Sequence, residues 1–565
     1  MAKKKSDKST ENIISDKIIR FDSTGELLPE IAEDLFDEGD VETSLATFLR
    51  IDDQEKDFDI LRKIADLYTE LGMYDYAINY WFRFIDKAPA RYHAEAYNGL
   101  GGNYYMMHKN ELAAYYFNLQ INDKNDSEFP FDDMMYELFD NKISFSVDKH
   151  AIRIYNSQNE KDAKMIDIAC AQLESDPNSA RKILKEIAET SSSYGDARFY
   201  LGVLDMMDLN LSESLKNMLI AKRLKIKENV SNSYIYGLSF YLNKTEIMES
   251  AYIDMKKGVL DFDASIAFFP LFTGYGKMKT AYRYAVAIEG IFCDFGKMNY
   301  YYALAAFNDK KYSDAIAHLR NYYSITNVPH VFALLNNFNA VSKHTTEFTP
   351  CEYIETMQNY LIEHSALLLD VINEKPSLLQ KEDFVALYPE IESCLYSDNV
   401  ELCGGALHAY RVINDGVSLN ILKKFLLRDD ANDFLKPFAI SLFIEVGYEE
   451  PVGLVFNHIY SKVPFEHVEF NDVCGDFFRS AYALAFGRFV PYYEKEVYKL
   501  RISAYSLYEK FLASGNIRKV KNLYALAALI AKNSGINLPK DFNEICVYMG
   551  TTASAVCKLE NLLGE

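Results

Sequence analysis

Apolar and polar residues between positions 58 and 89 follow the pattern of two amphipathic helices joined by a tight turn. Large apolar residues recur every three or four positions on both sides of Gly72, which suits a turn, and Pro89 ends the second segment. The small residues Ala65 and Ala77 would let the two helices cross closely. Because one hairpin cannot bury its own apolar stripe, the pattern predicts that neighbouring hairpins stack against it.

The same spacing recurs over the first 330 residues. It is clearest at 25–58, 57–91, 94–127 and 296–329, and looser at 161–193, 195–228, 229–261 and 262–295. Small residues mark the expected helix crossings, namely Ala32, Ala113, Ala180, Gly202, Ala221, Gly237, Ala251, Ala281, Ala303 and Ala315. The sequence therefore predicts a first block of hairpins at 25–127 and a second at 161–329.

The repeat unit resembles a known family. Counted from Phe58 as position 1, Ala65 falls at position 8, Gly72 at 15, Ala77 at 20 and Pro89 at 32. This arrangement resembles the tetratricopeptide repeat (TPR). The resemblance implies an all-α fold in which TPR hairpins build a right-handed α-solenoid, a fold that hosts many different roles.

The period breaks between the two blocks, at 128–160. The segment is acidic and holds Pro130, and it reads as a linker. Apolar and polar residues then alternate in I-S-F-S-V (143–147) and I-R-I-Y (152–155), which predicts a short β-hairpin.

After residue 330 the repeat signature fades, but helical periodicity continues. The region 330–515 predicts an irregular helical array with a loose resemblance to HEAT-type helix pairs, including one helix over 352–372. Pro437 and Gly447 suit the start and stop of another helix. Residues 453–460 fit either a lone strand or a short helix.

The last segment, 516–565, resembles a helix-turn-helix. Gly550 would make the turn, Thr552 would cap the second helix, and Val556 and Leu559 would pack back. A DNA-binding segment would use Thr552, Ser554 and Lys558. Since Lys558 is the one cation on that helix and phosphate contacts need several, the sequence favours a helical cap for the array.

Composition narrows the choice of partners. The chain has 565 residues and 60 Lys and Arg against 82 Asp and Glu, for a net charge of −22. This balance argues against broad binding to nucleic acid or anionic lipid, because excess cations are needed to neutralise phosphates. Lys-, Asn- and Ile-rich usage is typical of an AT-rich bacterial genome.

Localisation follows from the cysteines and the N-terminus. The eight Cys form no C-x-x-C pair, which favours reduced thiols in a cytoplasmic protein. The basic start, 1–24, is expected to be a disordered tail and has no apolar stretch after it, so it does not read as a signal peptide. No apolar run is long enough to predict membrane insertion.

Candidate chemistry is sparse. The chain lacks the phosphate-binding G-x-x-x-x-G-K-[ST], the nucleophile G-x-S-x-G and the zinc-binding H-E-x-x-H patterns. The ten His show no metal-ligand spacing. We therefore expect no catalytic residues, no metal site and no cofactor.

The resemblance instead points to a binding groove. In TPR proteins the first helix of each hairpin lines the concave face, which here implies Glu26, Glu33, Phe36, Asp59, Arg62, Asp66, Glu95, Asn98 and Tyr105. Five of these residues are acids and one is an arginine, which favours a basic or amphipathic segment of a protein partner. The alternative is that these acids are ordinary solvated surface of an acidic chain.

These observations predict a non-enzymatic cytoplasmic scaffold that binds a protein or peptide. One alternative is a transcription-linked regulator whose C-terminal segment touches DNA. The other is an enzyme within 330–540, for which no constellation of site residues stands out.

Overall fold

The computed structural model describes residues 27–51, 56–122, 144–148, 151–155, 161–173, 175–255, 261–274, 276–374, 381–465, 468–470, 473–493, 495–536 and 542–563. The predicted tail (1–24), Glu26 and most of the acidic linker lie outside these residues.

The first eight units are helical hairpins whose two helices pack on each other. They are α1 (Leu28–Asp37) with α2 (Val41–Arg50), α3 (Phe58–Glu70) with α4 (Tyr74–Lys87), α5 (His93–Met106) with α6 (Asn110–Asn122), α7 (Lys161–Gln172) with α8 (Pro177–Glu186), α9 (Tyr194–Met207) with α10 (Leu211–Arg223), α11 (Glu228–Tyr241) with α12 (Thr245–Met255), α13 (Phe262–Ile266) and α14 (Phe269–Gly274) with α15 (Met278–Glu289), and α16 (Gly296–Asn308) with α17 (Tyr312–Thr326). The predicted all-α fold with packed neighbouring helices is confirmed.

Local sequence accounts for these boundaries. The Asp40 and Asp57 side chains accept hydrogen bonds from backbone amides in the first turns of α2 and α3, which satisfies donors that a helix leaves unpaired. Gly72 has a φ of +66° in the turn between α3 and α4, a conformation that costs glycine little. Ala65 and Ala77 are fully buried, as a close crossing of the paired helices requires.

Two short strands separate the two blocks. β1 (Ser144–Asp148) and β2 (Ala151–Tyr155) pair antiparallel, with Phe145 opposite Ile154, and both lie beside α6. The strands fall where the alternation of polar and apolar residues predicts them.

The remaining chain is also helical. It forms α18 (Pro329–Ser342), α19 (Asn359–Glu374), α20 (Lys381–Cys394), α21 (Val400–Ile413), α22 (Gly416–Leu427), α23 (Lys436–Glu445), α24 (Val473–Tyr493), α25 (Tyr498–Ala513), α26 (Leu523–Asn533), α27 (Phe542–Tyr548) and α28 (Ala553–Leu563). No helix in the described ranges combines the length and apolar character needed to cross a bilayer.

Two predictions in this region are wrong in detail. The helix expected over 352–372 begins only at Asn359, because Gln358 instead ties the preceding loop together by exchanging two hydrogen bonds with the backbone of Glu352. The segment 453–460 is part of an antiparallel hairpin, β3 (Val452–Phe456) with β4 (Ile459–Val463). Its two-residue turn holds Asn457 and His458 with φ of +50° and +63°, the left-handed geometry that suits a tight hairpin.

The first block does not stack only on its sequence neighbours. Helix α2 packs against α17, and the Gly296 amide donates to the Leu71 carbonyl (2.9 Å). The Tyr68 hydroxyl donates to the Ile325 carbonyl (2.9 Å). The chain therefore folds back, so that α2 and the hairpin of α3 and α4 lie against the last hairpin of the second block.

The first block also meets the C-terminal half. Helix α4 packs against α22, and the Tyr460 hydroxyl in β4 donates to the Asp86 carboxylate (3.0 Å). These contacts join parts of the chain more than 300 residues apart and create the interior cavity described below.

Candidate functional site

The first helices α1, α3 and α5 carry the residues expected to line a groove. We call the set Glu33, Phe36, Asp59, Arg62, Asp66, Glu95, Asn98 and Tyr105 the first-helix face; Glu26 lies outside the described residues. Glu33, Asp59 and Asp66 are exposed, whereas Arg62, Glu95, Asn98 and Tyr105 are half-buried. Phe36 keeps 43% of its surface exposed, so it can offer apolar contact beside the acids.

Ion pairs link the three helices of this face. Arg62 Nη1 lies 3.4 Å from Glu95 Oε1, which links α3 to α5. Lys63, which the sequence analysis did not single out, pairs with Glu33 and links α3 to α1. Salt bridges of this exposure contribute little to stability. Both cations are engaged in them, and the face still holds more carboxylates than cations.

The pKa of Asp66 reflects its burial and the charges around it on the first-helix face. Although Asp66 keeps contact with solvent, surrounding protein atoms restrict its hydration, and this burial raises the pKa of its carboxyl to about 6. Arg62 opposes the rise, and Glu95 and Glu70 add to it. A cation placed beside Asp66 would therefore be favoured at neutral pH.

Asn98 is a further polar residue of this face. Its Oδ1 atom is enclosed and accepts no hydrogen bond in the described part of the chain. A buried acceptor without a donor is costly, so this atom marks a locally unfavourable point within the hairpin packing.

The C-terminal segment contains the expected pair of helices. Gly550 has a φ of +73° between α27 and α28, and the Ala555 amide donates to Thr552 Oγ1 (3.3 Å). Val556 is fully buried and Leu559 nearly so, and α28 packs on α26. Ser554 and Lys558 are exposed. The pair is therefore anchored as part of the helical core.

We expect Val556→Asp to destabilise this C-terminal pair by about 3 kcal/mol, because it buries a carboxylate without a partner. Hydrogen exchange of residues 523–563 should accelerate. Ser554→Asp, at an exposed position of the same helix, is the matched control and should leave exchange close to that of the unmodified chain. A random-sequence DNA duplex should bind neither protein. Sub-micromolar, salt-sensitive DNA binding that Lys558→Ala weakens would contradict the cap and favour a DNA reader.

The fold-back encloses a polar cavity of about 520 Å³ that the sequence analysis missed. One wall is a stripe of α4 that holds Asp75, Tyr76, Asn79, Tyr80 and Arg83. The other walls come from 326–330, 355–356, 395–403 and 424–435. In the sequence, the polar residues Asp75, Asn79 and Arg83 recur every four positions along α4, which places them on one face of the helix. The repeat pattern predicts that this helix is packed, so a polar face on it is the feature that could have indicated the cavity.

A buried ion triad lies at one end of this wall. Lys297 Nζ is 3.1 Å from Asp75 Oδ2 and 2.8 Å from Glu355 Oε2. Burial alone would lower the pKa of Lys297, but the two carboxylates reverse this and raise it. Burial raises the pKa of Asp75, which Lys297 opposes and Glu355 reinforces. Two carboxylates thus share one ammonium, and the triad holds α4 to α16 and to the loop at Glu355.

A second charged pair lies across the cavity. Burial alone would raise the pKa of Asp430, but the guanidinium of Arg428 overcomes this and brings the pKa to about 2. Asn79 donates to Asp430 (3.0 Å) and accepts from the Asp429 amide (2.7 Å). Because these charged groups already have partners within the chain, the cavity is best understood as a polar junction between the first block and the C-terminal half.

No protein-family model and no curated protein matches this chain. Within the described residues, no group of three His, Cys, Asp or Glu side chains has an arrangement that could hold a metal ion.

Proposed function

We propose that this chain is a non-enzymatic, cytoplasmic TPR-type scaffold that binds a basic or amphipathic protein segment on its first-helix face. The observation that carries the proposal is the excess of acid on this face. Both nearby cations, Arg62 and Lys63, are already paired, while Asp59 and Asp66 are exposed. A Lys- or Arg-rich segment would relieve this excess.

Apolar contacts support the same ligand. Phe36 and Tyr105 offer aromatic surface beside the acids. The consecutive packed hairpins support a TPR solenoid, in which first helices of successive units form a continuous inner face.

The alternatives have less support. For the transcription-linked regulator, the helix carrying Ser554 and Lys558 offers one exposed cation, too few for several phosphate contacts. For an enzyme within 330–540, no arrangement of the side chains that the structure describes there points to a reaction, so that alternative stays a hypothesis without assigned residues.

We expect Lys/Arg-rich amphipathic peptides to bind the chain about tenfold more tightly than acidic peptides at low ionic strength, with an advantage that shrinks as salt screens the charges. Glu33→Lys with Asp66→Lys should reverse the preference. The fold should persist, because both side chains are exposed. A peptide array read at low and high salt measures both effects.

The matched control is Glu246→Lys with Glu249→Lys, which makes the same change in net charge at exposed positions of α12 and should leave the preference unchanged. The affinity for basic peptides should also fall as pH drops below about 6, because protonation neutralises Asp66. Equal binding of acidic and basic peptides by the unmodified chain would leave these acids as ordinary solvated surface.

A further inference from the structure

Arg488, in α24, is a buried cation without an anionic partner. The residue is 5% exposed, and its Nε and Nη1 atoms are enclosed without a hydrogen-bond acceptor. No carboxylate in the described part of the chain forms an ion pair with it. Burial lowers the pKa of the guanidinium, which nearby tyrosines only partly oppose. Within the described residues, this charge is therefore not neutralised by an ion pair.

Aromatic rings surround this guanidinium instead. Its central carbon lies 4.7 Å from the ring centres of Phe434 and Phe438 and 5.3 Å from that of Tyr548. The Tyr548 hydroxyl hydrogen-bonds the guanidinium, and the ring faces attract a cation, but none of these neutral groups supplies a counter-charge. An anion could supply that charge.

Arg488 lines an open cavity of about 660 Å³ with Phe434, Asn543, Val547, Tyr548 and Gly550. We call this cavity the Arg488 pocket. Nε and Nη1 are enclosed and the residue is 5% exposed, so the guanidinium lies at the floor of this pocket. Glu544 also lines the pocket, but its exposed carboxylate does not pair with Arg488.

The rim of the pocket is unusually apolar. Val547 is 76% exposed and Phe434 55% exposed, and Tyr524, beside Gly550, is 44% exposed. These side chains come from the α22–α23 loop, α26 and α27, so the fold gathers them around the buried cation. Exposed apolar surface around a buried charged anchor is typical of a protein-interaction site.

We propose that the Arg488 pocket binds an acidic segment of a protein partner, with a carboxylate at Arg488 and a flanking apolar side chain against Val547 and Phe434. Charge complementarity selects this occupant, because the buried guanidinium needs one anion. Nucleic acid and anionic membranes would need several cations side by side, and the rim is apolar instead.

The test is an array of twelve-residue peptides of varied sequence, probed with the unmodified chain and with two variants. Val547→Glu places a carboxylate on the exposed rim. By repulsion it should weaken the binding of acidic peptides to the pocket at least tenfold, without loss of folding. Arg488→Met removes the charge but keeps a long apolar side chain, so it should weaken the same peptides at least tenfold. Its melting temperature should be unchanged or higher, because the uncompensated charge is gone. Leu367→Glu is the matched control: Leu367 is 68% exposed on α19, outside the pocket, and its variant should bind as the unmodified chain does.

The peptides that lose binding in both variants should combine Asp, Glu or a free C-terminal carboxylate with an aromatic or Leu residue. Basic or uncharged peptides in that set would overturn the proposal. A complete absence of peptides that bind Val547→Glu more weakly than the unmodified chain would overturn it as well. So would a lower melting temperature of Arg488→Met, which would assign the cation a structural role. The result for the Arg488 pocket does not depend on whether basic peptides bind the first-helix face.

Discussion

Replacing Ala77 by arginine is expected to destabilise the first block by about 4 kcal/mol. Ala77 is fully buried on α4, among apolar residues that include Tyr68 and Met73. A long side chain would force α3 and α4 apart, and its charge would lose water without gaining a partner. The expected measurement is a lower melting temperature together with faster hydrogen exchange in residues 58–87.

The control is Ala171→Arg, at an exposed position on α7, which should change stability by less than about 0.5 kcal/mol. The effect of Ala77→Arg should extend beyond its own hairpin, because Tyr68 on α3 also bonds Ile325 on α17. Unchanged melting and unchanged exchange in Ala77→Arg would contradict the packing of the hairpin.

The hairpins could be predicted because their determinants are local. Ala65, Ala77 and Gly72 lie within thirteen residues of one another, and the same spacing marks the other units. Caps such as Asp40 and Asp57 act within three residues, so each helix start is encoded next to the helix.

The fold-back could not be predicted in the same way. Lys297 meets Asp75 across 222 residues, and Tyr460 meets Asp86 across 374. Repeat periodicity describes only how each hairpin meets its neighbours, so it contains no information about such contacts. The polar cavity depends on them and was missed for that reason.

The binding groove on the first helices stays a prediction. The acids of the first-helix face could be located by repeat position, but Lys63 was overlooked because its repeat position is not one that usually faces the groove. Its pairing with Glu33 reduces the acidity of the face. Arg488 gave no signal in the sequence, since an arginine followed by Phe and Val resembles many helix positions. Only the fold reveals that none of the described carboxylates forms an ion pair with it.

The ion triad of Lys297, Asp75 and Glu355 leads to a second prediction with a large expected effect. Lys297→Met is expected to cost about 3 kcal/mol at neutral pH, because it leaves the carboxylates of Asp75 and Glu355 partly buried and without their ammonium. Destabilisation should appear as faster hydrogen exchange where α4 meets α16. Lys216→Met is the matched control: it breaks an exposed pair with Glu213 and should change stability by less than about 0.5 kcal/mol.

Acid should reduce the cost of Lys297→Met. Burial already raises the pKa of Asp75 above its unfolded value, and removing Lys297 takes away the group that opposes this rise. The folded variant then binds a proton more readily than the unfolded variant, so its stability increases as pH falls from neutral towards the unfolded pKa of about 4. The difference from the unmodified chain should therefore be largest at neutral pH and shrink in mild acid. Adding Asp75→Asn and Glu355→Gln should recover much of the lost stability at neutral pH, because no unpaired carboxylate remains. A cost that is independent of pH and persists in the triple variant would mean that the lysine acts through packing of its chain rather than through its charge.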